Sequence, residues 1–187
     1  MKIKKKLIIS GCLIVGICLG FLGITILTSV FATLPPDIVK PPTANQYLVD
    51  LIVNKQSKLD PVVVEKIAMM VEKYSVEYKI PPELILAIIE KESSFKQLAI
   101  SSADCVGLMQ INPKAHPEKI QDLEKGQIYH IDHNIRVGCM IFREYFEATN
   151  NIEETLSKYL GKKDINYINN ILVSFSNMLI KKQQMTN

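Results

Sequence analysis

Residues 82–95 read PELILAIIEKESSF and hold a carboxyl where helical geometry predicts an apolar side chain. At about 100° per residue, Leu84, Ile85, Ile88 and Ile89 share one face. Glu83 and Glu90 fall on the opposite face, where solvated carboxylates belong. Glu92 comes four residues after Ile88 and seven after Ile85, in the middle of the apolar stripe. It also lies near the helix C-terminus, where the macrodipole disfavours a negative charge. Burial and the dipole both raise its pKa. A carboxyl kept protonated near neutral pH is what a general acid requires. The competing arrangement ends the helix before Glu92 and turns the side chain to solvent; Ser93-Ser94 suits either.

Other groups capable of chemistry are sparse. Asp104, in a segment with the motif glycine Gly107, is either an exposed loop carboxylate or a second acid near Glu92. In that second role it would hold a water or a covalent intermediate and make a hydrolase. His116, His130, Asp132 and His133 lack a Cys or Glu partner at helical spacing, so no metal site is expected. Cys105 and Cys139 are either buried thiols or a disulfide pinning the loop to the helix that follows.

The elements that must position these groups are helical. Asp60-Pro61 reads as an N-cap and first-turn proline, followed by Ile67, Met70, Val71, Tyr74 and Tyr78 at helical spacing. The Glu92 helix starts at Pro81-Pro82. Residues 101–113 are expected to be irregular. A third helix carries Ile135, Gly138, Cys139, Phe142 and Phe146 on one stripe. Asn150 or Asn151 caps a fourth, with Ile152, Leu156 and Tyr159 inward. Asp164 caps a fifth, with Ile168, Ile171, Leu172 and Phe175 inward. Apolar/polar alternation is nearly absent, which predicts an all-α domain of about five helices around one core.

The chain has 187 residues, 22 basic against 19 acidic, and a net charge of +3. Four lysines within the first six residues account for that sign. Without them 18 basic residues face 19 acidic ones, a net of −1, so no basic face is left for nucleic acid. Residues 7–33 are uncharged and longer than the roughly 20 residues that span a bilayer. They are too long for the apolar stretch of a cleavable signal, although Val30-Phe31-Ala32 would serve as a cleavage site. The expectation is a single-pass anchor whose lysines stay cytoplasmic and whose remainder is extracytoplasmic. Ile9-Ser10-Gly11-Cys12 is only a poor match to a lipoprotein box, because apolar sequence continues past Cys12. The prolines at 35, 36, 41 and 42 suggest a semi-rigid spacer. The expected organisation is a stub and anchor at 1–33, a linker at 34–60 that could include a small amphipathic helix at 46–55, and a domain at 61–187.

The motifs now form a series. Glu92-Ser93-Ser94-Phe95, Ala99-Ile100-Ser101 and Gly107-Leu108-Met109-Gln110-Ile111 are followed by Asn134-Ile135 with Gly138, then by Tyr159 with Gly161, and by Tyr167. In order and spacing this resembles the lytic transglycosylase domain of the soluble-transglycosylase type, which is related in fold to goose-type lysozyme. The resemblance covers roughly residues 63–178. It implies a lysozyme-like fold and cleavage of the β-1,4 bond between N-acetylmuramic acid and N-acetylglucosamine in peptidoglycan. It also implies one catalytic glutamate, here Glu92, a 1,6-anhydro product, and neither metal nor cofactor. Ser101, Met109 and Gln110 would line the cleft, with core packing an equal reading for Met109. Asn134 would help hold the cleft, and Tyr159 would sit close to Glu92. Wall remodelling beside secretion or conjugation machinery is a setting that suits a small anchored domain of this family.

Departures stand beside the match. Asp104 and Cys105 replace the family's usual Gly-Ala, and Leu160 replaces an asparagine, with one small residue missing before Gly161. These leave two rivals open: a hydrolytic muramidase using Glu92 with Asp104, and a weakly catalytic glycan-binding or scaffold protein.

Overall fold

The computed structural model describes residues 43–186, and the expected anchor at 1–33 lies outside them. Among the described residues six α-helices follow one another: α1 Gln46–Lys55, α2 Pro61–Tyr78, α3 Pro82–Ser93, α4 Ile131–Thr149, α5 Ile152–Leu160 and α6 Ile165–Thr186. Residues 94–130 between α3 and α4 form an irregular excursion with two short 3-10 turns. None of the described helices is long and apolar enough to cross a membrane.

Local chemistry sets the helix ends. The Asp60 carboxylate accepts the Val62 N–H at 2.8 Å, and Pro61 fills the first helical turn of α2. Asn151, the second of the two asparagines, caps α5 through the Glu154 N–H. Asp164 accepts the Tyr167 N–H at 3.0 Å at the start of α6.

The compact unit begins at Thr43, not near residue 61. The segment expected as linker therefore contributes α1 to the core, because Leu48, Leu51 and Ile52 form an apolar stripe that is fully buried. Helix α3 runs through the middle. Every residue from Glu83 to Ile89 is buried, with α1, α2 and α6 packed around it. This corrects the expectation of a solvated Glu83/Glu90 face. Glu83 is only 1% exposed, 2.7 Å from Lys182 Nζ, with the Tyr47 hydroxyl donating to it. Glu90 is half-buried against Lys55 and Ser174. The unbroken apolar run from Leu84 to Ile89 is the sequence signal for a helix buried on all sides.

Candidate active site

Glu92 occupies the last turn of α3, which ends at Ser93 and is closed by Ser94 in the left-handed conformation. The helix thus includes Glu92, and the carboxyl remains largely buried. The Tyr167 hydroxyl, from the first turns of α6, donates to Glu92 Oε1. Burial pushes the Glu92 carboxyl above its ordinary value. The Tyr167 hydrogen bond and the neighbouring Lys91 charge act in the opposite direction. Desolvation prevails, so the carboxyl is biased toward the protonated form. Tyr167 is itself held far above the usual tyrosine range, first by burial and then by Glu92, and stays a neutral donor.

The loop that follows α3 is built around Asn134, which is 0% exposed. Its Nδ2 donates to the carbonyls of Val106 and Ile128, both at 3.0 Å, and its Oδ1 accepts the Met109 N–H at 2.8 Å. The side chain bridges the loop to α4 with all three groups engaged. Gly107 has φ +78, and a Cβ there would lie 2.2 Å from Asn134 Nδ2. Only glycine combines that conformation with that approach. Met109 is 0% exposed and packs on Gly138 of α4, where a Cβ would come within 2.4 Å of its sulfur. Gly107 and Gly138 therefore each clear space for one motif side chain.

The other expected site residues mostly serve the loop. Ser101 Oγ accepts the N–H groups of Ala103 and Cys105 at 3.2 and 3.1 Å. Gln110 Nε2 donates to Ala99 O and Gly107 O, leaving its side chain half-buried at the rim. The Tyr159 hydroxyl donates to Met109 O at 3.0 Å, so it fixes the loop backbone; the tyrosine bonded to Glu92 is Tyr167. Spacing on α6 alone could not select Tyr167, because its partner lies 75 residues earlier in the chain.

Asp104 is exposed, with its carboxylate 2.7 Å from Lys114 Nζ, and that lysine holds it below the usual carboxylate range. Cys105 and Cys139 are both free thiols, so the bridge weighed above is not made. His130 and His133 stack at 5.8 Å, while Asp132 accepts from Tyr74 and Lys73.

Residues 69–166, just over half of the chain, match the transglycosylase SLT domain family. The chain belongs to that family. Over 93 residues it is 34% identical to membrane-bound lytic murein transglycosylase C of Actinobacillus pleuropneumoniae, covering 44% of this chain and 26% of the relative. Over 42 residues it is 52% identical to the protein of the same name from Sodalis glossinidius, covering 22% and 12% of the two chains. The chain thus spans about a quarter or less of the length of these curated relatives. In fold it is similar to an inactive mutant of lytic transglycosylase Slt from Pseudomonas aeruginosa, with TM-score 0.54, 20% identity, and 63% and 24% of the two chains covered. The mainly helical architecture is that of an SLT domain.

Proposed function

We propose that the chain is a peptidoglycan lytic transglycosylase in which Glu92 acts first as acid and then as base. The observation that carries this is one carboxyl, largely desolvated at the end of the central helix and bonded to a neutral tyrosine. Protonated Glu92 gives its proton to the glycosidic oxygen as the bond to muramic C1 breaks. The substrate's own N-acetyl oxygen supports the positive centre at C1, a substrate-assisted route outside the two-carboxylate scheme. Glu92, now a carboxylate, takes the proton of the C6 hydroxyl. That oxygen bonds to C1, the 1,6-anhydro ring closes, and Glu92 ends protonated with no water consumed. Tyr167 orients the carboxyl and tempers its rise in pKa. Asn134, Gly107, Met109 and Tyr159 hold the loop, and Ser101 and Gln110 sit where its rim meets glycan.

The hydrolytic alternative needs a second carboxylate beside the reacting carbon. Asp104 is instead engaged by Lys114 at an exposed position. Residues 7–33 are read as a single-pass anchor that keeps the domain on the extracytoplasmic side, close to the membrane. Support comes from the uncharged run behind the lysine cluster and from relatives described as membrane-bound.

Digestion of purified peptidoglycan by the full chain in detergent micelles, with products analysed by mass, tests the reaction. Anhydro ends that disappear with Glu92→Gln are expected. Reducing ends would assign hydrolysis, and binding without products would assign a scaffold. Carbonate extraction of membranes tests the anchor, which is refuted if the chain is released or its N-terminus begins at Thr33.

A further inference from the structure

Helices α3 and α6 pack antiparallel: Glu92 meets Tyr167 at one end and Glu83 meets Lys182 at the other. Along their solvent side, Ala87, Glu90, Lys91 and Ser94 of the α3 segment face Asn170, Val173, Ser174 and Asn177 of α6. Both sets repeat at the three- and four-residue spacing of one helix face. Together with Lys55 they line an open groove of about 480 Å3, within the size range of small-ligand sites. Glu92 and Tyr167 do not line it.

The groove carries one uncompensated charge. Glu90 is neutralised by Lys55 at 3.0 Å and by the Ser174 hydroxyl. Lys91 makes no ion pair with any described residue, and its ammonium stands 5.9 Å from the centre of the Tyr167 ring. Ser94, Asn170 and Asn177 present polar side chains that hydrogen-bond to no described residue, while buried Ala87 lies at the base and exposed Val173 adds an apolar edge. Tyr167 adjoins both places without lining the groove: its hydroxyl bonds Glu92, and its ring stands beside the Lys91 ammonium.

We infer that this groove binds the short anionic peptide branch borne by the muramic sugar, with Lys91 taking a carboxylate and Asn170 and Asn177 the peptide groups. The inference rests on the transglycosylase reading. In that reading the bond broken is at C1 of the sugar that carries the peptide through its lactyl ether. Lys91 directly precedes Glu92 in the chain and its ammonium stands beside the Tyr167 ring, so the groove lies next to the residues that form the acid site. Two carboxamides, each both donor and acceptor, match the alternation of a peptide backbone. An ammonium matches its acid group. Lys91 is a specificity-determining residue in this account, separate from its influence on Glu92.

Two readouts separate the groove from the reaction. In the first, the side-chain amide resonances of Asn170 and Asn177 are followed by NMR in the full chain in micelles. The probes are a soluble stem tetrapeptide, its carboxyl-amidated form, and inorganic phosphate. Saturable shifts with the free-acid peptide are expected, weakened about fivefold by amidation or by Lys91→Met, as for one exposed charge pair. Absence of shifts, equal binding by Lys91→Met, or equal affinity for phosphate overturns the assignment. In the second, kcat/KM is compared on stem-bearing and amidase-stripped strands. The ratio should fall about tenfold in Lys91→Met/Asn170→Ala and recover partly in Lys91→Arg/Asn170→Ala. An unchanged ratio with both strands cleaved refutes the groove and leaves the reaction standing. Cleavage of neither strand refutes the reaction, and the NMR result still decides the groove.

Discussion

Replacing Asn134 with alanine should unfold the protein far more readily than a surface polar substitution does. The side chain is fully buried and satisfies three backbone groups. After truncation the Val106 carbonyl keeps the Ile111 N–H at 3.0 Å. The Met109 N–H and the Ile128 carbonyl lose the side chain that served them. An unsatisfied buried group costs about 1–3 kcal/mol, so the two orphaned groups together cost roughly 2–6 kcal/mol, to which the small cavity adds. Against a total stability of about 5–15 kcal/mol this is a large fraction. It corresponds to a fall in Tm of roughly 10 °C or more for a domain of this size. Thermal and denaturant unfolding followed by helix circular dichroism measure it. Asn134→Asp should be worse near neutral pH, since it keeps the acceptor for Met109 but places a carboxylate against two carbonyls. Unfolding within about 0.5 kcal/mol of wild type, with glycan binding lost, would refute the clamp and make Asn134 a sugar ligand.

Three further outcomes follow from the same geometry. Gly138→Ala should destabilise by about 1–3 kcal/mol, because the new methyl meets Met109, and Met109→Ala should relieve most of that in a double-mutant cycle. Tyr167→Phe removes a hydrogen bond that lowers the Glu92 pKa, so the alkaline limb of the pH–rate profile should move to higher pH. Glu92→Gln should be more stable than wild type at neutral pH. The raised folded pKa means that wild type loses stability as pH climbs from the ordinary glutamate value through the folded one, and the difference should vanish on acidification below that window.

The sequence displayed the acid more clearly than its surroundings. Glu92 stood out because a single helix's periodicity already places it among apolar neighbours. The N-caps at Asp60 and Asp164 were legible because capping is decided within a few residues. The same periodicity misassigned Glu83. A helical wheel reports which face differs, not how many faces another helix will cover, and α6 returns some hundred residues later to bury Glu83 with Lys182. Tyr159 does lie near the Glu92 charge, as expected, but that Tyr167 makes the hydrogen bond was not legible, because only tertiary packing decides which hydroxyl meets the carboxyl. The helix at 46–55 was visible as amphipathic, but nothing local says that its stripe docks on α2 and α3. The motif spacing marked Asn134, Gly107 and Gly138 together, and the structure supplies the cause: each glycine is the space its partner side chain needs.

Burial of the Glu92 carboxyl at the end of the central helix raises its pKa above the ordinary value, and the proposed acid step rests on that rise. An NMR titration of labelled glutamate carboxyls in the intact chain tests it most directly, with Glu92→Gln assigning the resonance by its disappearance. The account predicts a midpoint clearly above the ordinary value of 4.5. A midpoint at or below 4.5 would contradict it.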